Sequence, residues 1–193
     1  IATGGRERVG DDYFYGRDPR VLTQRQLEEA LAGGGPSPAP RSVVMIQCVG
    51  SRTPENPYCS RVCCSQALKN AIEIKKRDPE CDVHILYRDI RSYGLRETYY
   101  RQARDLGVLF TRYEAEAPPR VERRDGALEI RLHDPIVGQE GVLRPDLLAL
   151  SVGIAPQEDA GDLAALFKVP LNAEGFFLEA HMKLRPVDFS TEG

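Results

Sequence analysis

Four cysteines fall within seventeen residues of this chain: Cys48, Cys59, Cys63 and Cys64. Outside that stretch there is only Cys81. Thiols are reactive, and their crowding points to metal or redox chemistry. Cys48 closes an apolar run, residues 43–46, that reads as a strand. Cys59, Cys63 and Cys64 stand where a long helix is expected to begin. The thiols are therefore expected to converge on the first strand-to-helix turn of a Rossmann-type unit. In a dinucleotide binder that turn carries glycines, which let the backbone approach a pyrophosphate. Here Gly50 is the one glycine between Cys48 and Cys64.

On a helix, Cys59 and Cys63 would share a face, with Cys64 about 100° further round. Gly50, Pro54 and Pro57 would help the intervening loop fold back and bring Cys48 to the others. A helix N-terminus, together with Arg52 and Arg61, lowers thiol pKa and favours thiolates. Four thiolates in a positive surround suit a [4Fe-4S] cluster. Zinc also accepts four thiolates, although its structural sites usually use two short Cys knuckles and the adjacent Cys63-Cys64 pair fits them poorly. A redox disulfide from Cys59/Cys63 or Cys48/Cys59, and a set of inert buried cysteines, are the other readings that the spacing leaves open. Cys81 reads as a small buried hydrophobe. His84, His133 and His181 are scattered and form no metal-spaced pair. Asp89, just past the second expected strand, stands where an acid can hold a ribose, but without the glycines a nicotinamide site has little support.

The elements that must position these groups follow from pattern. Residues 21–31 read as a helix with Thr23 as N-cap and Gln26 completing a capping box. Residues 33–40 hold three glycines and three prolines and read as a linker. Strands are expected at 42–48, 82–87 and 108–113, with helices at 59–77 and 95–106, the latter closed by Gly107. That order predicts a parallel sheet with right-handed crossovers. Residues 120–122, 127–132 and 142–143 read as an antiparallel meander turning at Asp125-Gly126. Residues 147–152 read as a last parallel strand, broken by Gly153-Ile154-Ala155-Pro156. Strands are also expected within 172–187, around the turn at Ala173-Glu174-Gly175. The fold class is α/β, a Rossmann-like parallel sheet with helices on its faces and an antiparallel β-meander.

The chain has 193 residues, 41% hydrophobic and 28% charged, which fits one or two domains with a sizeable core. A net charge of -3 with no basic block gives nucleic-acid binding no electrostatic support. No apolar run approaches the roughly 18 residues of a membrane span. An odd cysteine count without a secretory signal fits a reducing, cytoplasmic compartment. Ile1-Ala2-Thr3-Gly4-Gly5 reads as the close of a strand already under way, and Phe189-Ser190-Thr191-Glu192-Gly193 as an unfinished end. Both are expected of a piece of a larger protein.

Several stretches together resemble the A subunit of heterodisulfide reductase, which contains flavin and iron-sulfur clusters. They are Ile1-Ala2-Thr3-Gly4-Gly5, Tyr15-Gly16-Arg17-Asp18-Pro19-Arg20-Val21-Leu22-Thr23 and Ile46-Gln47-Cys48-Val49-Gly50-Ser51-Arg52. The match continues through Tyr58-Cys59-Ser60-Arg61-Val62-Cys63-Cys64, Ala67-Leu68-Lys69, Tyr87-Arg88-Asp89-Ile90-Arg91 and Leu150-Ser151-Val152-Gly153-Ile154-Ala155-Pro156. The cysteine block is the most specific of these. The resemblance implies a thioredoxin-reductase-like architecture, in which a flavin domain is interrupted by an NAD(P)-binding-like domain. Residues 1–40 would be the exit segment of the flavin domain with its helix and linker, 41–157 the inserted domain, and 158–193 the return. It implies Cys48, Cys59, Cys63 and Cys64 as ligands of a [4Fe-4S] cluster near the flavin. Thr3 and Gly4 would touch FAD in the full-length protein. Apart from the resemblance, Lys69, five residues beyond Cys64 on the same helix, reads either as a cation facing a reduced flavin or as a solvated lysine on an exposed face. The flavin domain's N-terminal glycine-rich loop is missing here, so the segment alone is expected neither to hold FAD nor to be active. The implied partners are the other subunits of such a complex and an electron-donating hydrogenase or dehydrogenase; a homodimer is a further expectation. An NAD(P)H-dependent disulfide reductase domain and a zinc-stabilised interaction module are the rival functions.

Overall fold

A computed structural model describes residues 3–190. Ile1, Ala2 and residues 191–193, which entered the sequence reading of the two ends, lie outside the described residues. The chain divides into two compact units, one of residues 9–153 and one of residues 1–8 with 154–193.

The larger unit is built on parallel strands. They are β2 (Val21–Thr23), β3 (Ser42–Val49), β4 (Asp82–Tyr87), β5 (Leu109–Arg112) and the first part of β9 (Leu147–Pro156). The order is β2-β9-β3-β4-β5, with Val43 opposite Leu147 on one side and Val83 on the other. The central strands β3 and β9 are near-continuous apolar runs, as a strand covered on both faces requires.

One face is covered by α1 (Gln24–Ala32), α2 (Cys63–Arg77) and α3 (Glu97–Asp105). There Leu27, Leu68, Ala71 and Ala103 pack on Val43, Met45, Val83 and Ile85. The other face carries the meander of β6 (Arg120–Arg124), β7 (Ala127–Asp134) and β8 (Gln139–Leu143). Leu128, Ile130 and Leu132 of β7 close over Val44, Ile46, Leu148 and Leu150. Burying this aliphatic surface on both faces stabilises the unit by about 1.5–3 kcal/mol per large side chain.

The structure matches the α/β, Rossmann-like expectation and corrects several details. Residues 21–23 are a strand, not the first turn of a helix: they pair in parallel with residues 148–150. The helix starts at Gln24, and the Thr23/Gln26 capping box is present. The cysteine helix begins at Cys63 rather than Cys59, because Arg61 takes φ 65, a left-handed backbone that no right-handed helix accepts. Strand β9 does not break at Gly153 but runs on to Pro156. Gly153 lets the Gly50 carbonyl lie against the strand, where a Cβ would stand 2.8 Å from its oxygen.

In the smaller unit β1 is Gly5–Arg8, so the strand expected to close at Gly5 begins there, beside the end of β9. A helix not expected from the sequence, α4 (Ala160–Phe167), stops at left-handed Lys168. The strands expected within 172–187 are absent among the described residues; single bridges join Leu171 to Phe177 and His181 to Arg185. The Asn172 carboxamide oxygen accepts from the Glu174 and Phe176 amides, and this local capture replaces a ladder.

Candidate functional site

The carboxyl ends of parallel strands are where α/β sheets bind ligands. The cysteines gather at that edge. Cys48 sits at the end of β3 in a left-handed conformation, φ 63, within a bulge that shifts the register on β9 between Ile46 and Val49. Bulges re-aim side chains next to functional sites. The chain then turns through Gly50 and Arg52, both at positive φ. Thr53 and Asn56 exchange backbone hydrogen bonds of 3.1 Å, and the Arg52 amide donates to the Tyr58 carbonyl at 3.3 Å. Asn56, almost fully buried, donates its carboxamide to the Gly50 carbonyl at 2.9 Å. The loop is thus folded back by its own hydrogen bonds, and Pro54 and Pro57 flank the turn. The Arg61 amide donates to the Cys59 sulfur at 3.4 Å, just before α2 starts. Cys59 is therefore a loop residue, and the helical face it was expected to share with Cys63 does not exist.

Cys63 and Cys64 occupy the first turn of α2 and are buried. Their thiols act on one another electrostatically. The Cys64 sulfur also reaches the Asp89 carbonyl at 3.7 Å. The Cys64 pKa is lowered, first by the neighbouring Cys63 thiol, then by the Arg91 amide and the charges of Arg91 and Arg52, with burial opposing them. Cys63 is pushed up by the adjoining Cys64 thiol, then by burial and by the charges of Cys64, Cys48 and Cys59. Burial raises Cys48 and the nearby Cys64 charge adds to it, while Arg52 works against both. The charges of Cys48, Cys59 and Cys64 act on Cys63, and that of Cys64 on Cys48, so the strand end, the loop and the helix start influence one another electrostatically. All five cysteines are free thiols.

Among the described residues no three His, Cys, Asp or Glu side chains are gathered for a single metal ion. A zinc ion, with bonds of about 2.3 Å to sulfur, needs its ligands drawn close together. A cubane cluster is larger and takes thiolates spread further apart. The donor set fits it: four soft sulfurs, free N–H groups of a helix start and flanking arginines. Gln47 adds an orphaned donor. Its side chain is fully buried and neither end of its carboxamide has a partner. By strand alternation it lies on the face of β3 that Val43 and Met45 present to α2.

The remaining candidates stand elsewhere. Lys69 is a largely exposed residue of α2, ion-paired with Glu28 of α1, whose carboxyl it holds below the usual range together with Gln66. Thr3 and Gly4 belong to the smaller unit, where the Thr3 carbonyl accepts from Gln157 at 3.4 Å and Gly4 has φ 65. Cys81 is fully buried in the helix-side core, and burial raises its pKa to about 11. His84 bonds Thr111 at 2.7 Å, and His181 accepts from two amides in its own turn. The carboxylate of Asp89 is occupied by Arg52 at 2.7 Å and Arg91 at 3.8 Å, so it does not wait for a ribose.

Sequence reasoning missed the second wall of the site, residues 88–91 after β4. Its signal was the charged run Arg88-Asp89-Ile90-Arg91 at a strand's carboxyl end. It also missed Tyr113, whose hydroxyl donates to the Gln47 carbonyl at 2.5 Å and ties the end of β5 to β3 below the cysteines. A cavity of about 220 Å³ adjoins Cys48, bordered by Tyr13, Arg88 and Tyr113.

The fold and site together define a Rossmann-like domain of the kind found in two-dinucleotide-binding flavoproteins, with cysteines where the glycine loop would be. Thioredoxin reductase of T. acidophilum superposes on 98% of the chain and 53% of its own, with a TM-score of 0.52 at 15% identity. No family model matches. The chain is 39% identical, over 95% of its length, to the A subunit of the H(2)/formate:CoB-CoM heterodisulfide,ferredoxin reductase of Methanococcus maripaludis, covering 30% of that protein. It is likewise 39% identical to the iron-sulfur A subunit of the CoB--CoM heterodisulfide reductase of Methanocaldococcus jannaschii, over 95% of this chain and 30% of that one. The chain is homologous to a segment of the heterodisulfide reductase A subunit and spans about 30% of the length of these curated relatives.

Proposed function

We propose that this segment is an electron-transfer domain of a heterodisulfide-reductase-type oxidoreductase, with Cys48, Cys59, Cys63 and Cys64 holding a [4Fe-4S] cluster near an FAD of the full-length protein. The observation that carries the proposal is the placement of four cysteines on the end of β3, the loop after it and the first turn of α2, at the edge of the sheet where a phosphate loop would lie. The name of the M. jannaschii relative, which calls it an iron-sulfur subunit, supports it. When bound, such a cluster carries single electrons. The chain's own residues supply the rest. The bulge places Cys48 at the end of β3, and the first turn of α2 carries two more of the cysteines. Arg52 and Arg91 lend positive charge, which favours thiolates and the more negative reduced state. Burial of Cys63 and Cys64 keeps water from their sulfurs.

FAD contacts by Thr3 and Gly4, and a flavin-facing role for Lys69, belong to the same proposal. So does a multi-subunit partnership with an electron-donating hydrogenase or dehydrogenase, for which the relatives' names are the support. A nicotinamide-dependent reductase is disfavoured by the lone Gly50 and by the engaged Asp89. No helix among the described residues is long and apolar enough to cross a membrane.

The test is anaerobic reconstitution with iron and sulfide, followed by EPR of the dithionite-reduced protein and of Cys63→Ser. A four-iron signal per chain, lost or altered in the variant, is expected. Stoichiometric zinc in place of iron after anaerobic purification of the full-length chain would sink the proposal.

A further inference from the structure

Arg52 is held from every side, although its backbone is unfavourable. Its φ of 59 is one that a residue with a side chain keeps only where its surroundings impose it. Its amide donates to the Tyr58 carbonyl at 3.3 Å, and its own carbonyl accepts from the Arg88 guanidinium at 3.0 Å. Its side chain, 20% exposed, pairs with Asp89 at 2.7 Å, and its charge acts on the nearby Cys48. Asp89 in turn receives the Cys64 thiol on its backbone carbonyl at 3.7 Å. Cys48 and Cys64 come from opposite ends of the cysteine loop. Arg52, four residues after Cys48, and Cys64 are therefore both joined to the connection after β4.

We propose that Arg52 is a positioning residue for the group held by the cysteines, clasping the cysteine loop to the residues 88–91 connection and fixing a positive charge beside the Cys48 sulfur. The inference rests on the iron-sulfur reading of the site. A cation fixed beside a ligand sulfur stabilises added negative charge, so Arg52 raises the reduction potential. An arginine holds that charge in place better than a lysine does, because its planar fork is pre-organised for a carboxylate, here Asp89 at 2.7 Å. A residue that acted only on folding would leave the potential of the loaded protein where it was.

The experiment is an EPR-monitored redox titration of the full-length chain, loaded anaerobically, as wild type, Arg52→Gln and Arg52→Lys, with iron and sulfide counted in each. Arg52→Gln is expected to keep its cluster anaerobically, to lose iron faster in air, and to reduce at least tenfold less favourably, about 59 mV for a one-electron couple. Arg52→Lys is expected between the two, since it keeps the charge and loses the fork. A loaded Arg52→Gln protein with the wild-type potential overturns the inference and leaves the proposed function intact. If Arg52→Gln fails to fold, a loaded Arg52→Lys protein with wild-type potential and wild-type iron loss overturns it alone. A wild-type chain that takes up no four-iron group brings down the proposed function, and the inference with it.

Discussion

The contact between Gly153 and Gly50 offers a quantitative test of how β9 holds the cysteine loop. An alanine Cβ at position 153 would lie 2.8 Å from the Gly50 oxygen and 3.1 Å from the Asn56 amide nitrogen. A carbon and a carbonyl oxygen ordinarily stay about 3.3 Å or more apart, so roughly 0.5 Å must be recovered by movement. Neither neighbour is free to give way. One is backbone, and the other is a buried side chain whose hydrogen bond to that carbonyl, at 2.9 Å, would have to follow it. Gly153→Ala is not hindered by its own backbone, since Gly153 has no positive φ. Its cost is therefore overpacking, about 1–3 kcal/mol. Taking about 2 kcal/mol, the melting temperature should fall by about 4–8 °C. Because the loop is what moves, iron uptake should fall as well. Gly161→Ala is the control: it lies in the first turn of α4 with nothing within 4 Å, and alanine there should be neutral or stabilising. Circular dichroism melts of the two variants under anaerobic conditions decide it. A Gly153→Ala melting temperature within about 1 °C of wild type would refute the reasoning.

Further outcomes follow from other contacts. Asp18 is held at a pKa of about 2, against 3.8 ordinarily, chiefly by its forked hydrogen bonds to Arg20, with Arg123 of β6 adding charge. A depressed carboxylate contributes stability above its unfolded pKa and loses it as pH falls, here between about pH 4 and about pH 2, and the shift corresponds to about 2 kcal/mol. Asp18→Asn should lose about that much at neutral pH, and urea melts across pH should show a weaker acid dependence than wild type; an identical pH profile would refute the assignment. Tyr113→Phe removes a buried hydrogen bond to the Gln47 carbonyl and should cost about 1–3 kcal/mol in urea denaturation, with iron uptake reduced because β3 loses its tie to the end of β5. Thr23→Ala removes one half of the capping box and should cost about 1 kcal/mol without touching the iron content.

Much of the scaffold was legible because it is local or periodic. The runs at 43–46 and 147–152 could be buried strands and little else, and the Asp125-Gly126 turn marked the hairpin of β6 and β7. Thr23 and Gln26 marked a helix start correctly, while the residues just before them were misread. Val21 and Thr23 form a strand because β9, more than a hundred residues later, offers them a partner. The same logic accounts for residues 172–187, where an alternating pattern found no neighbouring strand.

The cysteine count, its place after the first strand, and the missing glycines were all determined by the sequence alone. They narrowed the chemistry to sulfur ligands or sulfur redox, because residue type sets which bonds are available. How those sulfurs meet was decided only in three dimensions. The bulge at Cys48 and the approach of residues 88–91 depend on pairing between segments distant in the chain, and the left-handed Arg61 takes Cys59 off the helix. No local spacing rule encodes such partners. A backbone accepts positive φ at Cys48, Arg52 and Arg61 when its surroundings impose it, and those surroundings are supplied by the fold.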